Sequence, residues 1–241
     1  MKVITNEKKI AQRKKWASIL SPIAMVLLLG GLGLNIASLR TTSSGEVNQT
    51  YFYGTLLLLV LGFIFSNISS SLVNHWVKEP RADQTLAKAL KGFDSKNYLF
   101  NYTTKAAHIL LTPQKVYAIT TKGQNGKIEV DGKKWKRPFS VGRMLRFFAE
   151  ENFGNPTFEA QQNADAVFKM MDAVLPEGAG VVLEPLIVFT NPDVELVIHN
   201  TEIPVLKATK LKSYIREKGK GQPMEREYYL KLIDAFSGDK K

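Results

Sequence analysis

The chain has 241 residues, with 33 Lys+Arg against 22 Asp+Glu, a net charge of +11, and no cysteine. That length suits one domain of ordinary size plus an extra segment and excludes a large multidomain enzyme. The missing thiols exclude disulfide scaffolds, thiolate zinc sites, iron–sulfur clusters and cysteine nucleophiles. Three histidines (His75, His108, His199) are too few for a histidine-rich metal cage, and the cationic excess favours a phosphate backbone or an acidic lipid surface as neighbour.

In chain order, residues 1–15 form a basic N-terminal segment carrying Lys2, Lys8, Lys9, Arg13, Lys14 and Lys15. No charged residue occurs from Trp16 to Leu39, or again from Val47 to Val77. Each stretch is long enough for the roughly 20 helical residues that cross a hydrocarbon core. The polar link from Arg40 to Thr50 is so short that the two helices must run antiparallel, and residues 16–76 are therefore expected to be a two-helix transmembrane hairpin. A cleaved signal peptide would have a shorter apolar region and no second span directly behind it. Cations flank the outer ends of the hairpin, including Lys78 and Arg81, while the link holds only Arg40. The positive-inside rule then puts both termini in the cytoplasm of a two-span cell-membrane protein. Trp16, Tyr51, Tyr53 and Trp76 stand where aromatic rings prefer the headgroup level. The N-terminal cations read as topology determinants in contact with anionic lipid rather than as a nucleic-acid arm. Gly30, Gly31 and Gly33 permit a close helix approach, including one between copies of the chain.

Residues 77–241 are expected to form the cytoplasmic domain. The first 76 residues take seven cations and two anions, which leaves 26 and 20 in the remainder, so this part stays basic. Arg81 to Leu90 has helical spacing and ends at Gly92. Asn97–Tyr102, His108–Leu111 and Val116–Thr120 read as a three-strand meander. Asn125-Gly126 and Asp131-Gly132 are hairpin turn signals bracketing a strand at 127–130, whose partner is 134–137. Val141–Glu150 reads as a helix, and Thr157–Leu175 as a longer one with Phe158, Val167, Phe168 and Met171 inward. Leu186–Phe189 is an apolar strand with Glu195–Ile198 as its neighbour, Pro204–Leu206 is a last short strand, and 207–217 and 225–236 are terminal helices. The fold class is two transmembrane α-helices followed by an α/β domain with a mixed sheet.

The stretch from His108 to Lys122, followed by Gly126-Lys127-Ile128 and Trp135, resembles the nuclease-related (NERD) domain family. That family's centre runs I-D-H, a strand, a turn, a second strand ending in E-T-K, then G-x-I and a tryptophan. Asn155-Pro156 with Gln161 or Gln162 is similar to its N-P-x-x-Q helix start, and Asp83 to an acidic residue on its first helix. The resemblance covers roughly residues 81–198 and implies a restriction-endonuclease-like αβββαβ core. It also implies an aspartate and a glutamate holding a divalent metal, with a lysine beside them positioning water. Phosphodiester hydrolysis of this kind needs hard oxygen ligands for Mg²⁺, which then supplies hydroxide and neutralises developing charge.

Here the chain departs from the pattern, because Ala107 and Thr120 occupy the two acidic positions. Asp83, Lys122 and Gln161 remain as vestiges of a catalytic site, His108 is kept, and no metal or other cofactor is expected. Lys122 also reads as a solvated strand end, His108 as a half-buried histidine, and Asp83 as a favourable charge in a first helical turn. Mg²⁺ binding would need carboxylates relocated from Glu129 or Asp131. Lys122, Lys133, Lys134, Trp135, Lys136 and Arg137 form a basic and aromatic candidate surface for DNA or RNA, or else a solvated hairpin with one anchoring tryptophan. Arg143, Arg146, Lys207, Lys210, Lys212 and Arg216 add possible phosphate contacts. The expectation is a membrane-anchored binding protein without the standard nuclease reaction. Two readings stand beside it: an active Mg²⁺-dependent nuclease, and a structural or partner-binding membrane protein.

Overall fold

In a computed structural model of the protein, residues 1–41, 48–138 and 153–238 are described. Of these, residues 8–79 belong to a helical unit, and residues 1–7, 80–138 and 153–238 to a sheet unit.

In the helical unit, α1 spans Glu7–Thr41 and α2 spans Gln49–Leu72, ending in a π-helical turn at Val73–Val77. Both are long and apolar enough to cross a membrane. Asn48 caps α2, its Oδ1 accepting from the amides of Thr50 (3.0 Å) and Tyr51 (3.4 Å). The seam has a seven-residue period on both sides: Ile10, Ala17, Ala24 and Gly31 are buried on α1, and Thr55, Gly62 and Ser69 on α2. Small residues let the backbones approach, which in lipid replaces hydrophobic drive with van der Waals contact. Ser21 and Ser69 share a hydroxyl hydrogen bond of 2.5 Å. Gly30 and Gly31 are closed off by Leu58 and Leu59 within the chain, whereas Gly33 opens on free space. Outward side chains such as Met25, Val26, Leu29 and Leu57 are apolar and more than half exposed.

The sheet unit begins before the helices. Strand β1 (Lys2–Thr5) lies parallel to β2 (Tyr98–Asn101), in register from Lys2 opposite Tyr98 to Thr5 opposite Asn101. The basic N-terminal segment thus contributes an edge strand that its composition did not announce. Helix α3 (Ala82–Ala89) precedes β2; β3 (His108–Leu111) and β4 (Lys115–Lys122) complete the antiparallel meander. β5 (Gly126–Asp131) and β6 (Lys134–Lys136) form the hairpin around Asp131-Gly132. After α4 (Pro156–Asp172) come β7 (Val182–Phe189), β8 (Val194–Ile198), β9 (Val205–Lys207), α5 (Ala208–Lys218) and α6 (Arg226–Ser237). The main sheet has the order β1-β2-β3-β4-β7-β9 and is mixed, and β6-β5-β8 form a second, smaller sheet.

Three expectations are corrected. Asn125-Gly126 does not join a β4–β5 hairpin, because β5 leaves the main sheet for the second one. β8 pairs with β5, not with β7, whose partners are β4 and β9. Phe158 and Phe168 on α4 point outward, 60% and 58% exposed; the inward stripe is Ala160, Ala164, Val167 and Met171, at helical spacing. The expected helix at 141–150 lies outside the described residues.

The main sheet is covered on both faces, which is why β3 and β4 read as continuous apolar runs. Leu86 and Leu90 of α3 and Leu211 and Ile215 of α5 pack on Leu99, Leu110, Tyr117 and Ile119. On the other face, Ala164, Val167 and Met171 of α4 and Leu232 and Phe236 of α6 pack on Phe100, Ile109, Val116 and Ala118. Strand alternation continues that second face through Thr120 and Lys122, towards the start of α4.

A Cβ on Gly62 would meet Leu28 side-chain atoms at 2.8 Å and the Leu28 amide at 3.1 Å. Gly62→Ile should therefore destabilise the helix pair by about 1–3 kcal/mol through overpacking. Thermal unfolding of the detergent-solubilised chain will read this as a lowered midpoint, with Gly33→Ile, into open space, leaving it unchanged.

Candidate functional site

The residues singled out by sequence converge only in part, at the end of the main sheet where β1 stops. Asp83 sits in the first turn of α3, 5% exposed, and both of its oxygens are occupied by Arg81: Nε to Oδ1 at 3.0 Å and Nη2 to Oδ2 at 3.1 Å. That bidentate bond raises the guanidinium pKa above its already high value. Tyr102 follows β2 in a left-handed backbone conformation (φ 60°) and receives no glycine's exemption, a local cost on the order of 1–3 kcal/mol. Its amide donates to the carbonyl of Ala107 at 2.7 Å. Burial, then the charge of Asp83, push its phenol well above the ordinary range.

His108 is 1% exposed; its Nδ1 is 2.8 Å from Oδ1 of Asn101 and its ring meets Tyr102 edge-on at 4.8 Å. Asn101 in turn donates to Thr5 Oγ1 at 3.2 Å. His108 is thus held inside a buried polar chain that runs to the N-terminal strand.

Thr120 and Lys122 face α4. Asn163 Nδ2 donates to Thr120 Oγ1 at 2.7 Å. Lys122 Nζ donates to Glu159 Oε1 at 2.7 Å and to the carbonyl of Phe153 at 2.9 Å. The Lys122 side chain is 3% exposed and that of Glu159 40%. Glu159 and Asn163 are one helical turn apart, so they form two successive polar rungs between helix and sheet. Glu159 descends to its rung over Gly154 (φ 60°), where any Cβ would stand 2.6 Å from Oε1. Asn155 and Pro156 begin the helix: Oδ1 caps the amides of Thr157 (3.1 Å) and Phe158 (3.2 Å), and Pro156 fills the first turn, where no donor is needed.

The other candidates lie elsewhere. Gln161 is exposed and donates to Asp165 at 3.3 Å, and Gln162 lines a groove of about 680 Å³ with Thr104, Lys105, Asp165 and Lys169. Neither is recorded in contact with Lys122. The group that does meet it, Glu159, was missed by sequence reading, although it is the third residue after Pro156 and so falls at the Q of N-P-x-x-Q when the spacing is counted strictly. Glu129 and Asp131 belong to the second sheet, where Glu129 Oε1 is 3.2 Å from His199 Nε2.

On the β5–β6 hairpin, Lys136 stands opposite Glu129 and Lys134 opposite Asp131. On the other side of β5, Lys127 stands opposite Glu195, and Lys133 lies 3.5 Å from Glu202. Directly opposed side chains of this kind are within about 5 Å at Cβ, so the hairpin is a mixed-charge surface. Trp135 points inward, its Nε1 donating to Thr157 Oγ1 at 2.8 Å and its ring packed against Phe153 and Phe189. Arg137 lies over the Phe153 ring at 5.4 Å. Arg143 and Arg146 lie outside the described residues.

These donors do not fit Mg²⁺. Position 107 offers a methyl group and position 120 a hydroxyl, Asp83 is engaged by a guanidinium, and Glu159 Oε1 by an ammonium. Among the described residues, no three His, Asp or Glu side chains gather within ligating reach.

Breaking the Lys122 pair tests which partner matters. Glu159→Ala leaves a buried ammonium with one carbonyl and should cost about 1–3 kcal/mol. Lys122→Met replaces the charge with an apolar chain of similar length and should be nearly neutral. Thermal midpoints of the full chain distinguish the two, and equal losses would refute the ordering.

Over residues 75–190 the chain matches the family model of the nuclease-related domain, NERD. No curated protein and no solved structure matches it. The matched stretch holds α3, β2 to β7 and α4, with Asp83, Lys122 and Glu159, and leaves β1, α1, α2, β8, β9, α5 and α6 outside. Residues 75–190 are thus a nuclease-related (NERD) domain, of the restriction-endonuclease-like kind, set between two long apolar helices and two C-terminal helices.

Proposed function

We propose that this is a membrane-anchored nuclease-related protein that no longer hydrolyses phosphodiesters and acts by binding at the cytoplasmic face of the cell membrane. The observation that carries this reading is the closed pair of rungs between β4 and α4. The remaining polar groups at the inherited site satisfy one another, Asn163 with Thr120 and Glu159 with Lys122. The order α3-β2-β3-β4-α4-β7 supports the αβββαβ core of the wider nuclease group. In this chain one of its metal-holding positions, Thr120, makes a helix-to-sheet contact, and the other is Ala107. A relocated metal site on Glu129 and Asp131 is not favoured, since both face cations or histidine on the second sheet.

The same sheet supports a membrane topology with both ends of the hairpin on one side. β1 precedes the first apolar helix and β2 follows the second, yet the two are hydrogen-bonded in one register. Strands paired in one sheet share one compartment, so a spanning hairpin must leave and return on the same side. The cations of residues 8–15 make that side the cytoplasm.

Two measurements test this reading. The chain has no native cysteine, so single Ser44→Cys and Ser95→Cys variants can be probed in intact cells with a membrane-impermeant maleimide. The Ser44 variant should react and the Ser95 variant should react only after lysis; labelling of the latter in intact cells would reverse the topology. Purified full chain should leave single- and double-stranded DNA and RNA uncut with Mg²⁺ or Mn²⁺. Cleavage that disappears in Asp83→Ala or Lys122→Ala would restore the enzyme reading.

A further inference from the structure

Helix α2 turns Thr55, Gly62 and Ser69 towards α1, and its opposite face carries Leu57, Val60, Ile64, Asn67, Ser71 and Asn74. These six alternate at spacings of three and four residues, as in the seam of a coiled coil. Leu57, Val60 and Ile64 are 60%, 48% and 46% exposed, and Asn67 is exposed beside them. Asn67 Nδ2 donates to the carbonyl of Phe63 at 2.8 Å, while its Oδ1 accepts from nothing among the described residues. The depth of that amide follows from the packing of the hairpin. Leu28, at the middle of the uncharged residues 16–39, packs on Gly62, the middle of the uncharged residues 47–77. Asn67 lies five residues further on, about 8 Å along the helix, within a hydrocarbon core that extends about 15 Å to either side of its middle. Acyl chains offer an amide no partner there. Asn35 of α1 is exposed too, but it stands four residues, about 6 Å, from Leu39, where headgroups are in reach.

We propose that this outward face of α2 is the contact through which two copies of the chain associate in the membrane, with Asn67 of each copy hydrogen-bonded to Asn67 of the other. It rests on the reading of the two apolar helices as a spanning hairpin. Copies that share one topology stand the same way up, so a two-fold axis between them runs along the membrane normal. A residue on that axis faces its own counterpart and has to complement itself. An amide does so, because its free Oδ1 accepts from the remaining Nδ2 proton of the second amide. A lysine or a carboxylate in the same place would meet a like charge. Leu57, Val60 and Ile64 supply apolar packing on one side of Asn67, and Ser71 and Asn74 continue the seam on the other. An asparagine inside such a seam fixes register and the number of helices that meet. The outward face of α1, with Val26, Leu29 and Gly33, holds no hydrogen-bonding side chain and is fully served by acyl chains.

The absence of native cysteine lets single cysteines map the contact in phosphatidylcholine vesicles that carry the full chain. Oxidation should join copies through Val60→Cys and through Ser71→Cys, and should leave Val26→Cys, on the outward face of α1, uncoupled. Association itself is read by energy transfer between copies labelled at Ser95→Cys, as lipid is added to dilute them. Asn67→Leu should raise the dissociation constant roughly tenfold, within the about threefold to thirtyfold that an interhelical hydrogen bond is worth in a bilayer. Asn67→Gln, which keeps the amide, should stay close to the parent, and Gly33→Ile should leave association unchanged. The cross-links do not depend on Asn67, so the surface stays testable if the leucine variant fails to insert. The contact is overturned if Val26→Cys forms the cross-link, if Asn67→Leu associates as the parent does, or if the parent shows no transfer at any lipid ratio. Alkaline carbonate separates these failures from failure of the spanning reading. A chain that carbonate washes from the vesicles does not span, and the contact falls with the hairpin. A chain that resists washing but stays monomeric keeps the hairpin and refutes the contact alone.

Discussion

A buried ammonium has to be answered by an anion, and the one answering Lys122 comes from its own chain, at 2.7 Å. In a metal-dependent nuclease a lysine at such a position works beside carboxylates that hold a cation. With Ala107 and Thr120 in the acidic places, the region is left with an excess positive charge, and Glu159 restores the balance from the helix above. The same helix sends Asn163 to Thr120 one turn later. Helix and strand thus bridge each other at both Lys122 and Thr120. The apolar contacts of Ala164, Val167 and Met171 continue the same interface without a break.

The second organising feature is the N-terminal strand. It supplies the edge of the main sheet and, through Thr5, the last member of the polar chain Thr5–Asn101–His108. Without that strand the amide of a fully buried asparagine would lose its Thr5 partner, and Asn101, which meets the His108 ring, would be held less firmly. His108 is thus accounted for by packing, although a family motif singles it out.

Much of the fold was legible because its signals are local. Turn residues at Thr112-Pro113 and Asp131-Gly132, the apolar runs of β3 and β4, and the Asn155-Pro156 cap each announce an element through a few neighbouring side chains. Pairing between distant segments left no such trace. Nothing in Lys2–Thr5 indicates that its partner lies 96 positions away, and the short β8 reads equally well beside β7 or β5. Phe158 and Phe168 misled because large apolar residues weigh heavily in a periodicity, whereas the true inward stripe uses small alanines at the crossing with the sheet. Of the site, the loss at 107 and 120 was visible in the letters themselves. The replacement by Glu159 was not, because an ion pair between a strand end and a helix start depends on three-dimensional approach.

The parallel pairing of β1 with β2 also constrains how the chain assembles. Residues 2–5 are synthesised before residues 98–101 and must wait for them before they can hydrogen-bond. Between the two events both long apolar helices are synthesised. Closing so distant a contact is slow relative to local pairing. Docking of this edge strand therefore has to follow the synthesis of β2.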